Sequence, residues 1–435
     1  MVTSSLTAEF WRICQPKTLF MKTFTGFSLL LLYAMCLITF SCSPEIKDSQ
    51  ESTEIEYDYL PVKLVGSDMW SILNVNTGEV LFKDEFKNQP SPIYHDVFVV
   101  ENGNGTYDYY NINNIKTPIN KTSYYMASDF VGSDITPATL PDKEITLINT
   151  KCEVVATLDK SIKACFKFRE GLAPFITYSG KLGYVDETGK IVIDAKYDDG
   201  QYFYDGISVC WINDEYNGLA TYYVIDKSGK ELYSFTSNDY KLVGRFSEGF
   251  LPVADDKEVT YLDRTGKQAY TLCNLADTAR YSFALCTFAD GRSVFCEGDM
   301  FGLKDKDNNI ILRAKYDYLS SIGNGMYIAE KDKKFGIIDF NDKPIIDFKY
   351  QGIGRLRRNI FLVDNGKSKT LINDKGEDAT KVNFSEYSLQ QIIGVKSDCP
   401  APELEADDTI YEDSLAGDTA LVDTVAYDSA DSYYW

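Results

Sequence analysis

His95 is the only histidine in this 435-residue chain. Any Ser-His-Asp or Cys-His catalytic arrangement, and any zinc site with two histidines, therefore depends on that one residue or is excluded. The GxSxG, HExxH and GxxxxGK[ST] motifs are all missing from the sequence. Gly-x-Gly strings begin at Gly103, Gly323 and Gly352. They lack the third glycine of a dinucleotide-binding loop, and we interpret them as turns.

Two chemistries based on carboxylates remain open. Asp305, Asp307 and Asn309 place oxygen ligands at every second residue, as loops that bind hard cations do. The Gly and Glu that an EF-hand needs at its sixth and twelfth positions are missing, however. The 65 acidic residues could also supply the paired carboxylates of a glycoside hydrolase, but sequence alone cannot identify such a pair. We predict a protein without enzymatic activity, metal or cofactor.

The N-terminal region contains a candidate lipidation site. An apolar run from residue 24 to 40, preceded by Lys22, is typical of a secretory signal and is short for a membrane-spanning helix. The stretch 39–42, Thr-Phe-Ser-Cys, resembles a bacterial lipobox, which implies that Cys42 becomes the acylated first residue of the mature protein. Met21 is an alternative start that gives the same mature chain. An uncleaved membrane helix is the alternative to lipidation.

The C-terminal region contains candidate glycosylation sites. From Ser397 onward there are eleven Asp or Glu residues and no Lys or Arg, so we predict a disordered acidic tail over 396–435. Within it, Asp followed by Ser or Thr and then a small or apolar residue recurs every five residues. This pattern resembles an O-glycosylation signal of exported proteins in some Gram-negative bacteria, with a plain low-complexity tail as the alternative. The candidate acceptors are Thr409, Ser414, Thr419, Thr424 and Ser429.

Charge and cysteine content narrow the partners and the compartment. The formal net charge of -21 argues against nucleic acid or an anionic lipid surface as the main partner, because both require clustered Lys and Arg. Seven cysteines follow Cys42 at irregular spacings, without a CxxC pair for zinc. We interpret most of them as small buried hydrophobic residues rather than disulfides. Cys286 with Cys296 is the first pair to test for a bridge.

An internal repeat is the strongest signal in the chain. Its clearest copy spans 182–198, and an Asp or Asn that ends a strand-like segment marks each copy. The nine markers are Asn74, Asn111, Asn149, Asp186, Asp226, Asp263, Asp305, Asp339 and Asn373. Successive markers are 37, 38, 37, 40, 37, 42, 34 and 34 residues apart. The repeat is therefore about 37 residues long.

Turn chemistry explains the marker. Three residues after most markers stands a Gly, Asn or Asp, for example Gly189 after Asp186. Asp or Asn at the first position of a type I turn caps the turn with its side chain, and Gly or Asn accepts the left-handed conformation that closes a bulged hairpin. We therefore predict a hairpin tip at each marker. Thr77 and Cys152 are exceptions at the third position.

A second recurring element places an acidic residue and Gly before an apolar strand, as in 168–173, 203–209 and 246–253. Together, the hairpin and this acid-Gly strand make residues 60 to 380 resemble the WG-repeat (KWG) family of bacterial envelope and secreted proteins. The Trp-Gly pair itself is absent, and its place is taken by Leu182-Gly183, Phe301-Gly302, Phe335-Gly336 and Trp70-Ser71. The resemblance implies β-rich repeats and, usually, no known activity.

The repeat predicts an all-β fold of about eight units with three or four strands each. A unit of this size cannot bury both faces alone, so neighbouring units must stack. A propeller-like ring satisfies this requirement, with an open β-solenoid as the alternative. In a ring, the partial last unit near Asn373 could pair with strands near Leu60 and close the circle.

These observations predict four regions. They are a signal peptide over 1–41, a lipidated flexible tether over 42–59, the repeat domain over 60–395 and the acidic tail over 396–435. The predicted location is the bacterial cell envelope, as an outer-membrane lipoprotein that is periplasmic or surface-facing. The predicted role is a binding or scaffold surface for an unknown envelope protein or glycan. A surface glycan-binding or glycan-cleaving protein is the alternative.

Overall fold

The computed structural model describes residues 56–389 except 215, 256–257, 275–286 and 299. All the regular elements in this part of the chain are β-strands. A membrane-crossing helix of sufficient length and apolarity is not found in these described stretches. The predicted signal peptide and acidic tail lie outside the described residues.

The strands form consecutive units of two to four, each ordered along the chain. Unit 1 contains β1 (Tyr59–Leu64), β2 (Trp70–Asn74) and β3 (Val80–Phe86), and unit 2 contains β4 (Val97–Glu101) and β5 (Tyr107–Asn111). Unit 3 contains β6 (Met126–Ala127), β7 (Ile135–Thr139), β8 (Ile145–Asn149) and β9 (Val154–Thr157). Unit 4 contains β10 (Ile162–Cys165), β11 (Leu172–Thr177), β12 (Leu182–Asp186) and β13 (Ile191–Tyr197).

Units 5 to 9 follow the same plan. Unit 5 contains β14 (Asp199–Gly200), β15 (Ile207–Asp214), β16 (Leu219–Asp226) and β17 (Glu231–Thr236), and unit 6 contains β18 (Leu242–Val243), β19 (Phe250–Ala254), β20 (Glu258–Asp263) and β21 (Gln268–Asn274). Unit 7 contains β22 (Arg292–Glu297), β23 (Met300–Asp305) and β24 (Ile310–Tyr316), and unit 8 contains β25 (Tyr318–Ser321), β26 (Met326–Lys331), β27 (Lys334–Asp339) and β28 (Pro344–Tyr350). Unit 9 contains β29 (Gly352–Arg357), β30 (Ile360–Asp364) and β31 (Lys369–Asn373). The last strand, β32 (Phe384–Tyr387), pairs with β1.

The predicted hairpin tips are confirmed at all nine markers. In each, the Oδ1 atom of the Asp or Asn accepts a hydrogen bond from the backbone nitrogen two residues later. At the clearest copy, Asp186 Oδ1 accepts from Thr188 N at 2.9 Å and from Lys190 N at 3.1 Å. Cys152 takes the left-handed conformation in its tip, with φ of 58°, although its side chain is larger than that of Gly.

Consecutive units bury apolar side chains against each other. The described residues contain nine such clusters, and each one joins a unit to its neighbour. Eight clusters join units 1 to 9 in chain order. The ninth places Leu60 and Leu73 of unit 1 with Leu362 and Leu371 of unit 9. Because the first and last units share a core, the nine units form a closed, propeller-like ring.

Ring closure uses both ends of the described chain. β32 pairs with β1, and β31 meets β32 at Lys369 and Phe384. The predicted pairing of the last unit with strands near Leu60 is therefore confirmed, and the open solenoid alternative is wrong. The ring has nine units rather than about eight, because the degenerate copies at Asn74 and Asn111 and the partial copy at Asn373 all contribute hairpins.

The first strands of the four-stranded units and of unit 9 lie at the inside of the ring, and β32 takes this place beside β1. Neighbouring first-strand segments contact each other directly: Gln201 Nε2 donates to Gly244 O at 3.2 Å, and Arg355 Nη1 donates to Ile322 O at 2.8 Å. Antiparallel order then places the turns between first and second strands on the same face as the marker hairpins. We call this side the tip face. The opposite side, with the turns between second and third strands, is the loop face.

This arrangement clarifies the roles of four glycines. Gly103 and Gly323 lie in turns with positive φ, as predicted, but Gly352 begins strand β29, so its assignment to a turn is wrong. Sequence could not show that this segment is the buried inner strand of unit 9. Gly183 occupies the second position of the Trp-Gly slot, where an added Cβ would lie 2.6 Å from Ile193 O. At this copy the slot requires Gly because the fourth strand approaches position 183 closely.

Candidate interaction surface

The predicted modification sites all lie outside the described residues. They are Cys42 in the N-terminal region and Thr409, Ser414, Thr419, Thr424 and Ser429 in the tail. Lipidation and O-glycosylation therefore stay predictions. The disulfide between Cys286 and Cys296 also stays a prediction, because Cys286 lies in one of the gaps.

His95 lies in a tight turn immediately before β4, where Tyr94 and Val97 form a bridge. Its φ is 51°, and its Nδ1 atom lies 2.9 Å from Asp134 Oδ1. It lines a groove of about 190 Å³ together with carboxylate, tyrosine and isoleucine side chains. Neither a serine nor a cysteine lines that groove within the described part of the chain, so the histidine has a carboxylate partner but lacks a nucleophile.

The candidate cation loop at Asp305 is a hairpin tip. Asp305 Oδ1 accepts from Asp307 N at 3.0 Å and from Asn309 N at 2.8 Å, and Oδ2 accepts from Asn309 Nδ2 at 3.0 Å. Both oxygens therefore bind the turn itself. Among the residues that the structure describes, His, Cys, Asp and Glu do not form a group of three suited to a metal ion.

Burial suppresses ionisation of three cysteine thiols in the described residues. Burial raises the pKa of Cys152, Cys165 and Cys210 to about 12 in each case. A thiol with this pKa is almost wholly protonated at neutral pH and is a poor nucleophile. The side chain of Cys210 is completely buried, as predicted for a small hydrophobic residue.

The tip face is built around carboxylates that connect one unit to the next. Each of four acid-Gly turns accepts a hydrogen bond from the corresponding turn of the following unit. The donor and acceptor pairs are Asp205 N to Glu170 at 2.8 Å, Gly249 N to Asp205 at 3.2 Å, Gly291 N to Glu248 at 2.9 Å, and Gly325 N to Asp290 at 2.8 Å. We call this series the carboxylate chain.

Cations from the marker hairpins neutralise three members of the carboxylate chain. Each cation immediately follows a marker in the next unit. Lys227 lies 3.3 Å from Glu170, Arg264 lies 3.6 Å from Asp205, and Lys306 lies 3.1 Å from Glu248. These charged groups of the tip face therefore hold neighbouring units together.

The loop face differs because one hairpin is longer than its neighbours. Strands β15 and β16 pair over eight residues each, from Ile207 with Asp226 to Asp214 with Leu219. Their outer halves are only partly buried, and Tyr216 at the turn is 98% exposed. On unit 4, Tyr178 is 69% exposed in the equivalent turn. Two aromatic side chains are thus presented to solvent on neighbouring units of the loop face.

A groove of about 360 Å³ opens beside Tyr178, between units 3 and 4. Its lining includes Asp142, Glu144 and Asp159 together with two lysines. The Ser161 hydroxyl and backbone amide hold the pKa of Asp159 below its usual range. A general acid of a glycoside hydrolase needs a raised pKa, so Asp159 is unsuited to that role.

Sequence analysis missed two features of these surfaces. The acid in the acid-Gly pair was assigned to a turn, whereas its carboxylate also binds the next unit. The long hairpin had a signal, because Asp186 and Asp226 are 40 residues apart instead of about 37. Insertions in repeat proteins commonly extend loops on one face.

Comparisons with known proteins agree with the repeat. The family model described as WG containing repeat matches residues 183–216 and 301–335, so these two segments are similar to the repeat of that family. Curated proteins gave no match. BamB from Moraxella catarrhalis is 11% identical, with a TM-score of 0.37 over 66% of this chain and 92% of that one. Kluyvelomyces marxianus Hsv2 is also 11% identical, with a TM-score of 0.29 over 64% and 88%. Both structural likenesses are too distant to bear on function.

Proposed function

We propose that this ring of WG-type repeats is a non-enzymatic scaffold of the bacterial cell envelope, held to the outer membrane by a lipid on Cys42. The main support is that the side chains of the two faces differ in what they contact. The carboxylate chain and its cations connect units on the tip face. The loop face instead presents the exposed side chains of Tyr178 and Tyr216, which makes it the better surface for a partner.

The positions of the two ends of the described chain support this orientation. β1 begins at Tyr59, paired with the marker Asn74, so the chain enters the ring from the tip face. β32 ends near the same face, where Ser388 N donates to Pro61 O at 2.9 Å. A tether from Cys42 would therefore reach the tip face and leave the loop face directed away from its attachment. Glu56 and Tyr57, inside the predicted tether, already contact Arg357 and Leu356 of unit 9.

The lipid anchor is tested by replacing Cys42. Membrane fractionation of cells with Cys42→Ala should move the protein from the membrane fraction to the soluble envelope fraction, because the acylated residue is lost. Continued membrane retention would favour an uncleaved helix. The intact mass of the native protein tests the tail in the same preparation: an unmodified tail mass would eliminate O-glycosylation.

The loop face is tested by a pull-down from envelope extract with the soluble form that starts at residue 43. A Tyr178→Ser/Tyr216→Ser double variant should lose a partner that the parent protein retains, because exposed aromatic side chains commonly anchor interfaces. Ile310→Ser is the matched control, since Ile310 is 56% exposed just beyond a marker hairpin on the tip face. Equal loss in the control would contradict the assignment to the loop face.

Glycan binding is the second candidate, and the groove beside Tyr178 favours it. An exposed aromatic ring next to carboxylates and lysines is a common way to bind sugars. A glycan array with the same soluble form separates the two proposals. A carbohydrate signal that Tyr178→Ser removes would support glycan binding, whereas a protein partner without any carbohydrate signal would support the scaffold.

A further inference from the structure

Two arginines from different units stack on one tyrosine at the inside of the ring. The guanidinium carbon of Arg169, in unit 4, lies 4.1 Å from the ring centroid of Tyr204 in unit 5. The guanidinium carbon of Arg245, in unit 6, lies 5.0 Å from the same centroid. Arg169 Nη1 also donates to the Tyr204 hydroxyl at 3.2 Å. Cation-π contacts thus fix two positive charges beside one ring.

These two charges lack a compensating carboxylate. Within the described residues, neither guanidinium lies within 4.0 Å of an Asp or Glu oxygen. The nearest acids along the chain, Glu170 and Asp205, bind the following turns and the cations Lys227 and Arg264. Tyr204 is 9% exposed, while both arginines keep partial access to solvent. Two like charges held on one ring repel each other, and an anion would relieve that repulsion.

The cluster lies on the tip face at the inner end of units 4 to 6. Arg169 and Tyr204 are in the turns between first and second strands, and Arg245 comes two residues before the equivalent turn. The inner strand β32 ends close to the same face at Tyr387. The chain therefore leaves the described region on the side of the ring where the arginines lie.

The segment that follows carries the complementary charge. Beyond Leu389 the chain continues for 46 residues, with eleven Asp or Glu and, from Ser397, no Lys or Arg. A random-coil polypeptide of 46 residues has a root-mean-square span of about 35 to 40 Å. Attachment to the same molecule also gives its carboxylates a millimolar effective concentration at the cluster.

We propose that Arg169, Tyr204 and Arg245 form a carboxylate-binding site whose occupant is the acidic C-terminal segment of the same chain. Guanidinium groups bind carboxylates through paired charge-assisted hydrogen bonds, and Tyr204 holds both groups in place. This site extends beyond the scaffold role and does not depend on the lipid anchor. It would make the tip face a surface that the chain covers with its own tail.

Site-specific photocrosslinking in the full chain tests the proposal. A benzophenone amino acid in place of Tyr411 should crosslink to units 4 to 6 near Arg169 and Arg245, as mapped by mass spectrometry. Arg169→Gln/Arg245→Gln should lower that yield about fivefold, because two charge-assisted contacts are lost. Salt at 1 M should lower it as well, because it screens exposed charges.

Lys190→Gln/Lys230→Gln is the matched control. Both lysines are exposed in marker hairpins of the same face, and their loss removes the same formal charge. Crosslinking should change less than twofold in this variant. Equal loss in both double variants would show only a general charge effect and would overturn the site. Crosslinks spread over other units, or products joining two chains, would also overturn it. Circular dichroism of each variant should match the parent and exclude unfolding.

Discussion

At the scale of single residues, the marker turn depends on an oxygen acceptor more than on charge. Asp and Asn share the marker position across the nine units, and both accept from the residue two positions later. Charge adds a second effect where the marker is Asp. The Thr265 hydroxyl and backbone amides lower the pKa of Asp263. Its ionised form is therefore favoured in the folded protein.

Replacing Asp263 should separate these effects. Asp263→Ala should lower the free energy of unfolding by about 1 kcal/mol, because the turn loses its acceptor. Asp263→Asn should cost less, since Asn serves in other units. Because the pKa of Asp263 is lower in the folded than in the unfolded protein, its ionised form stabilises the fold at pH values above the unfolded pKa of about 4. This stabilisation is lost as the pH falls through the folded pKa. Urea denaturation at pH 7 and pH 3 should show a smaller Asn penalty at pH 3. An unchanged penalty would contradict a role for charge.

Glycines in the marker hairpins serve packing as well as conformation. Gly266 has φ of 78°, and a Cβ there would lie 2.7 Å from the ring of Tyr233 in the preceding unit. Gly376 has φ of 76°, but its nearest neighbour, Ile346, would be 3.8 Å away. At unit 9 the turn therefore requires Gly only for its positive φ. At unit 6 it requires Gly both for the positive φ and for the close packing on Tyr233.

Alanine substitutions should reveal the difference. Gly376→Ala should destabilise by about 1 kcal/mol, because Ala disfavours positive φ. Gly266→Ala should cost a further 1 to 3 kcal/mol or so, because the methyl group would overlap Tyr233. Urea denaturation of both variants measures the difference. Equal costs would show that packing on Tyr233 contributes little.

At the scale of elements, the acid-Gly turn is a connector between units. Glu248 is the best buried example, with 12% of its side chain exposed. It accepts from Gly291 N and pairs with Lys306, both in the next unit. Turn propensity alone would permit Asn or Gly at this position. The carboxylate is explained only by the neighbouring unit.

Glu248 variants should test this connection. Glu248→Ala should destabilise by about 1 to 3 kcal/mol, because Gly291 N loses its acceptor in a partly buried site. Glu248→Gln should cost less, since the amide oxygen can still accept. Hydrogen exchange should accelerate at Gly291 in the Ala variant. Glu297→Ala, at an exposed position, is the control and should leave both measurements unchanged. No change at Gly291 would contradict the connection.

At the scale of the whole molecule, an ionic contact completes the ring between units 9 and 1. Arg357 pairs with Glu56 at 3.1 Å and also with Asp58. Tyr57 N donates to Leu356 O at 3.0 Å beside these pairs. The carboxylate chain does not extend to this junction, where the chain has Arg358-Asn359 instead of an acid-Gly pair. Closure therefore relies on the shared core, on β32 and on Arg357.

Removing Arg357 should weaken this junction specifically. Arg357→Ala should accelerate hydrogen exchange in β1 and β29 before other strands, because Glu56 and Asp58 each lose an ion pair across the junction. Arg358→Ala is the control, since Arg358 contacts Glu56 through its backbone nitrogen. A soluble form beginning at residue 60 should behave like Arg357→Ala. Uniform acceleration over all units would contradict local opening.

The sequence by itself determined the position of every hairpin tip and the all-β class. Those features arise within a few residues. A side-chain oxygen accepts from the backbone nitrogen two residues later, and a glycine adopts positive φ. Composition also excluded the chemistries that depend on more than one histidine.

Only the tertiary structure decided between ring and solenoid, and only it revealed the carboxylate chain. Glu170 and Asp205, whose backbone nitrogen donates to it, are 35 residues apart, and Arg357 and Glu56 are 301 residues apart. Contacts over such separations leave no local pattern, because a Glu that binds a neighbour and a Glu that merely suits a turn are the same letter. The physical reason is that ring closure depends on the combined geometry of nine interfaces between units, which no single repeat encodes.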